Sequence, residues 1–323
     1  MREAIKFVLA ILALSSVAGC GDQELDEHGP NGQTTPDRRP TVALIMKSLA
    51  NEFFVTMANG ARAHQAAHKG QYRLLVNGIK NEIDLAEQVS LIDQMIASNV
   101  DAIVISPAGS KALVPALSRA VTAGIAVINI DNRLDREILE EYNLTVPFVG
   151  PNNFRGAKLV GQFLATQLAS GAEVAILEGV TTAYNSGRRT AGFNAAIDEA
   201  GLTVVAQQSA QWDQTKAVTI TSAILVQHPA LAAIFCANDN MALGAVAAVT
   251  QAGKSDHIKI IVFDNISAVR SLIKSGRILA TVDQHADLLA VYGIETALEA
   301  LSSSVTLADR STPVDLITID RLD

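Results

Sequence analysis

From Thr41 onward, short apolar runs alternate with longer segments of helical period, and this alternation leaves few folds open. The runs are Thr41–Met46, Tyr72–Asn77, Ala102–Ser106, Ala126–Ile130, Glu173–Leu177, Thr203–Ala206, Ala232–Cys236, Lys259–Phe263 and Leu279–Val282. They are continuously apolar and rich in β-branched residues, as suits parallel strands covered on both faces. The helical segments between them span 52–68, 81–98, 111–123, 154–170, 188–200, 213–227, 240–252, 267–274 and 287–302. In the second of these, Leu85, Val89, Ile92 and Ile96 form an apolar stripe, with Asn81 as the expected N-cap. Strand–helix alternation predicts an α/β fold with right-handed crossovers and doubly wound sheets. Two smaller lobes suit the usual size of a domain better than one sheet of nine or more strands.

Composition narrows the class. Apolar types make up 49% of the 323 residues and charged types 18%, enough to bury a large core. A net charge of −8 with no basic run longer than a pair of arginines argues against a nucleic-acid partner. Two cysteines, Cys20 and Cys236, exclude a disulfide scaffold and a four-cysteine zinc site. The first residues read as an address. Arg2 and Lys6 precede a twelve-residue apolar stretch, Phe7 to Ala18, too short for the ~20 residues that span a bilayer. It ends in Val17-Ala18-Gly19-Cys20, which resembles a bacterial lipobox. That resemblance implies cleavage before Cys20 and a lipid on its sulfur, hence an extracytoplasmic protein anchored to a bacterial membrane. Residues 21–40 are polar and rich in Gly, Pro, Asp and Glu, and are expected to form a flexible tether.

In doubly wound sheets, ligands sit beyond the carboxyl ends of the strands. There the sequence places Asn51, Phe53 and Phe54; Asp131 and Asn132; Arg188 and Arg189; Trp212; Asn238; Asp264; and Gln284. Aromatic rings suit the apolar face of a sugar ring. Carboxylates accept from its hydroxyls, and Arg, Asn and Gln side chains donate to them. The same residues also have plain structural uses. Phe53 and Phe54 could fill a core at a helix start, and Asp131 and Asp264 could cap helices.

The segments ANEFFVTMANGA, INIDNR, GRRTAGFNAAI, AQWDQTKA, FCANDNMALGA, IIVFDN, LATVDQ and TPVDL stand in the order that marks a known family. Over 41–323 the chain resembles the ribose-binding branch of the bacterial periplasmic sugar-binding proteins, the type I fold of ABC importers. The resemblance implies stacking by Phe53, Phe54 and Trp212. It implies hydroxyl binding by Asn51, Asp131, Arg189, Asn238, Asp264 and Gln284. Lys47 stands where ribose binders carry Ser, and Asn132 where they carry Arg. Lys47, the Trp212-Asp213 pair and the CAND segment at Cys236 are more similar to the D-allose-binding members. Those carry an acid in place of Asn132 and Trp in place of Phe54, so the epimer stays open. The family fold implies two Rossmann-like lobes joined by a three-segment hinge. One lobe would take 41–151 and 285–315, the other 152–284 and 316–323. The implied protein is a monomer that carries a neutral monosaccharide or polyol to an ABC permease, with a chemoreceptor or sensor kinase as the alternative partner. A sugar-responsive transcription regulator is a remote alternative, since the signal segment occupies the place of its DNA-binding helices.

Other motifs are set aside. Ala252-Gly253-Lys254-Ser255 lacks the first glycine of a phosphate loop. His64 and His68 have helical spacing but no further ligands or intervening acid. Asn143 opens a glycosylation sequon, which carries no weight behind a bacterial-type lipobox, and Cys236 reads as a small buried hydrophobe. No nucleophile–base set stands out. No catalytic residue, metal or cofactor is expected.

Overall fold

The computed structural model describes residues 39–303 and 307–322; the signal and lipobox reading, Cys20 included, and most of the tether lie outside them. The first half of the chain runs β1 (Thr41–Met46), α1 (Glu52–Ala67), β2 (Arg73–Gly78), α2 (Leu85–Ala97), β3 (Ala102–Ile105), α3 (Val114–Thr122), β4 (Ala126–Ile130), α4 (Arg136–Glu141) and β5 (Phe148–Pro151). The second continues α5 (Asn153–Ala165), β6 (Glu173–Glu178), α6 (Tyr184–Ala200), β7 (Thr203–Ser209), α7 (Gln214–Gln227), β8 (Ala233–Cys236), α8 (Asp239–Gln251), β9 (Lys259–Ile261), α9 (Ser267–Lys274) and β10 (Ala280–Asp283). The chain then returns through α10 (Ala286–Ser302), β11 (Arg310–Thr312) and β12 (Asp315–Thr318).

Two six-stranded sheets result, in the orders β11-β5-β4-β3-β1-β2 and β12-β10-β9-β8-β6-β7. All strand pairs are parallel except β10 with β12. The central strands β1, β3 and β8 are buried along their whole length. This is why they read as unbroken apolar runs. Each such Val, Ile or Leu removed from water contributes roughly 1.5–3 kcal/mol. Helices cover both sheets, α1 packing on α10 and α5 on α6.

The chain passes between the sheets three times, after β5, after β10 and between β11 and β12. The last crossing falls at Pro313–Val314. Asp315 therefore pairs with Asp283 in the second sheet, whereas the sequence reading kept it in the first lobe. His285, at the second crossing, has φ 55°, and its Nε2 lies 2.7 Å from Asp315 Oδ2.

Several elements differ from expectation for local reasons. The N-cap of α2 is Asp84, whose side chain accepts from Glu87 N; Asn81 instead caps the preceding turn at Ile83 N. β5, β11 and β12 are three or four residues long and escaped pattern reading. α6 begins at Tyr184 rather than Arg188, because the polar Asn185-Ser186-Gly187 stretch is helical despite its weak propensity. The Gly253-Lys254 motif ends α8: Gly253 sits at φ 67° and Lys254 N bonds Val249 O, a left-handed helix stop. His64 is engaged by the protein, its Nδ1 lying 2.8 Å from the Tyr72 hydroxyl. Burial pushes the Cys236 thiol well up from its ordinary range. Among the described residues no helix is long and apolar enough to cross a membrane.

The α5–α6 contact depends on Gly192, where an added Cβ would lie 2.4 Å from the Phe154 carbonyl oxygen. Gly187, in the same helix, has open space around it. Gly192→Ala is expected to cost about 1–3 kcal/mol in urea unfolding, as overpacking does. Gly187→Ala should leave stability unchanged or raise it by up to ~1 kcal/mol.

Candidate functional site

The carboxyl ends of the two sheets face each other across one small cavity. The first lobe contributes Lys47 just after β1, Asn51, Phe53 and Phe54 at the start of α1, Glu82 from the β2–α2 loop, and Asp131 just after β4. The second contributes Asn185 and Arg189 on the first turns of α6, Trp212 before α7, Asn238 at the cap of α8, and Asp264 beyond β9. Gln284 lines the cavity from the hinge.

Each wall is held by a buried ion pair. Lys47 Nζ lies 3.0 Å from Asp131 Oδ2, which also accepts from Ser106 Oγ at 2.6 Å. Arg189 Nη1 lies 3.2 Å from Asp264 Oδ1 and donates to Ala237 O at 2.8 Å, while its Nε donates to Asn153 Oδ1 at 2.7 Å. Gln284 Nε2 donates to the same Asp264 oxygen at 2.6 Å. Three acceptors, Asn153 Oδ1, Ala237 O and Asp264 Oδ1, thus fix the Arg189 plane, which stacks 3.8 Å from the centre of the Phe263 ring. Arg188, one residue earlier, lies over Phe154 instead and does not line the cavity.

The apolar walls are as rigid. Phe53 and Phe54 meet edge to face at 5.1 Å. Trp212, 4% exposed, has φ 65°, and its carbonyl is held by Asn240 Nδ2 at 2.9 Å. Its ring rests on Gly179, where an added Cβ would come within 2.1 Å of the indole. Asp131 and Asp264 also have positive φ, 62° and 129°, so neither is a conventional helix cap. Such backbone costs on the order of 1–3 kcal/mol per residue and collects where side chains must be aimed.

Acidic groups outnumber basic ones in this space. Three lining carboxylates, Glu82, Asp131 and Asp264, face two cations. Burial pushes Asp264 up to about 7 despite the Arg189 guanidinium. Burial likewise raises Glu82, against the opposing pull of Lys47 and the Asn51 amide. Asp239 lies behind Asp264 and is raised by its own burial and by Asp264; it accepts from Ile266 N at 2.7 Å and Thr281 Oγ1 at 3.1 Å. The carbonyl oxygens of Asn185 and Gln284 are buried without a protein donor. The cavity can therefore accept many protons in hydrogen bonds, offer a few fixed donors, and press flat rings on a ligand.

Asn132 does not join this set. It is wholly buried, gives its amide to Pro107 O at 2.9 Å, and accepts from Asn185 N at 3.2 Å. It is not among the residues lining the cavity, and its Oδ1 ties the first lobe to the start of α6. Two lining residues were missed in the sequence. Glu82 lies four residues beyond the end of β2, too far along its loop for the strand-end rule to mark it. Asn185 stands one helical turn before Arg189 and was assigned to a loop.

The lobes also touch outside the cavity. Tyr184 N donates to Ser110 Oγ at 2.9 Å, and Ser267 N to Glu52 Oε1 at 2.8 Å.

Residues 42–304 match the family model of the periplasmic binding protein domain. The chain is 49% identical over 288 residues to a D-ribose/D-allose-binding protein of Pseudomonas aeruginosa, covering 88% of this chain and 90% of that one. It superposes on an ABC transporter solute-binding protein from Burkholderia multivorans with TM-score 0.85 and 52% identity, covering 87% and 99% of the two chains. A second such protein, from Actinobacillus succinogenes and with bound D-allose, gives TM-score 0.83 and 34% identity over 88% and 99% of the chains.

The raised carboxylates set a pH dependence. When the sheets part, Asp264 and Glu82 return to water, where carboxylates titrate near 4. Protons are thus held more tightly in the shut, empty form, and shutting it costs progressively more as pH rises from about 4 through 7. Small-angle scattering of the ligand-free protein should show a larger radius of gyration at pH 8 than at pH 4.5.

Proposed function

This chain belongs to the periplasmic binding protein family, and on that premise we propose that it captures a neutral monosaccharide or related polyol between its two lobes and delivers it to an ABC importer. The observation that carries this reading is the pairing across one cavity of Lys47–Asp131 on the first lobe with Arg189–Asp264 on the second, flanked by Phe53, Phe54 and Trp212. The chemistry is that of binding. Sugar hydroxyls donate to the carboxylates and accept from Arg189, Lys47 and Asn238, while ring C–H faces lie on the aromatics.

Capture works by population shift. A ligand that touches both lobes is bound better by the shut form, and a full switch from 1:99 to 99:1 needs ~10⁴-fold differential affinity. Charge-assisted hydrogen bonds of roughly 1.5–3 kcal/mol each, made only on closure, supply this with a few contacts. The similarity to ribose- and allose-binding relatives supports an aldose of that kind as the ligand. The lobes are 41–151 with 285–312 and 152–284 with 315–322, turning about the three crossings.

We further read the protein as a lipoprotein processed at Cys20 and held by acyl chains at the outer face of a bacterial membrane, the residues after Cys20 serving as a tether. The small residues before Cys20 support this. Cys20→Ala is expected to block lipidation, so that metabolic labelling with a palmitate analogue fails and the protein leaves the membrane fraction.

Thermal-shift screening against pentoses, hexoses and polyols should reveal the ligand, since a micromolar binder at millimolar concentration adds ~4 kcal/mol of stability. With that ligand, Asp131→Ala and Asp264→Ala should each lower affinity by about tenfold or more in calorimetry and abolish ligand-induced compaction. Unchanged affinity in both variants would refute their roles.

A further inference from the structure

Glu82 stands apart from the other two carboxylates of the cleft. Asp131 and Asp264 each touch a cation, whereas the one protein donor to Glu82 is the neutral amide of Asn51, Nδ2 to Oε1 at 2.8 Å. In all three acids one oxygen takes every donor that the described residues provide, and the second oxygen takes none. None of these second oxygens is among the side-chain atoms sealed from solvent without a partner, so in this lining they stand open to a donor that enters the cavity. The position of Glu82 is also distinctive. β2 is the edge strand of the first sheet and lies three strand spacings from β4, about 14 Å at ~4.8 Å per strand. Glu82 comes from the loop after that edge strand and Asp131 from the end of β4, so the two acids reach the ligand space from different elements of the first lobe.

We propose that Glu82 is a specificity-determining residue of the cleft: its unpartnered oxygen takes a ligand hydroxyl that neither Asp131 nor Asp264 reaches, so the site selects sugars with a donor at that end and rejects deoxy and carboxylate-bearing analogues. This rests on the sugar-binding reading above. Selection against anionic sugars follows from the excess of acids over bases in the lining. Selection against deoxy sugars follows because a missing hydroxyl leaves Glu82 buried with nothing to satisfy it.

The test uses calorimetry on the processed chain with D-allose, D-ribose and myo-inositol, each beside its monodeoxy derivatives, and with the uronate of D-allose. The variants are Glu82→Gln, which keeps size and the Asn51 contact, and Glu82→Asp, which keeps charge but loses reach. For the sugar that binds, one monodeoxy derivative should bind the unaltered protein about ten- to a hundredfold more weakly than its parent. Both variants should weaken the parent by a similar factor and leave that one derivative unchanged. The uronate should bind the unaltered protein poorly and gain in Glu82→Gln. The ligand-free Glu82→Gln protein should melt at an unchanged or higher temperature, which a residue of merely structural importance would not allow. The proposal is overturned if Glu82→Gln binds parent and derivatives as the unaltered protein does, or if it weakens all of them alike and lowers the ligand-free melting temperature. Failure of the unaltered protein to bind any neutral sugar or polyol would instead bring down the sugar reading itself.

Discussion

Everything in the cleft depends on keeping Arg189 and Asp264, with Lys47 and Asp131 opposite, out of water yet correctly aimed. Removing a charge from solvent costs several kcal/mol, and pairing recovers this only when geometry is good and spare valences are filled. Arg189 meets them through Nε and Nη1, which donate to Asn153, Ala237 and Asp264, and through Phe263 against its face. The carboxylates meet them only in part. Their remaining oxygens, with Asn185 and Gln284, form a lining more ready to accept than to donate. Selectivity for a hydroxyl-rich, uncharged molecule follows from that imbalance more than from shape.

The fold was largely legible, and the reasons are visible in particular elements. β1, β3 and β8 are buried on both faces and hence apolar throughout, so a run of β-branched residues announces them. β5, β11 and β12 are short edge or hinge strands that contain or adjoin proline, and their pairing is decided by the tertiary fold alone. Within the site, residues immediately after strands were legible because parallel sheets put ligands there. Glu82 and Asn185 were not, since each reaches the cavity from a position that looks like an ordinary loop. Asn132 adjoins Asp131 in sequence yet lies off the cavity lining, its amide bonded to Pro107 and its oxygen to Asn185 N.

Three of the eight non-glycine residues with positive φ among the described residues, Asp131, Trp212 and Asp264, line the cavity. Gly179 completes the pattern by having no side chain where the indole must lie. The scaffold gives up some stability at these points to present an acid, a ring and a second acid at fixed angles.

The bonds from Tyr184 N to Ser110, Asn185 N to Asn132 and Ser267 N to Glu52 join the two halves at the rim without using any cargo atom. Holding the cleft shut is therefore not left to a ligand alone: each of these bonds contributes roughly 0.5–1.5 kcal/mol from outside the ligand space.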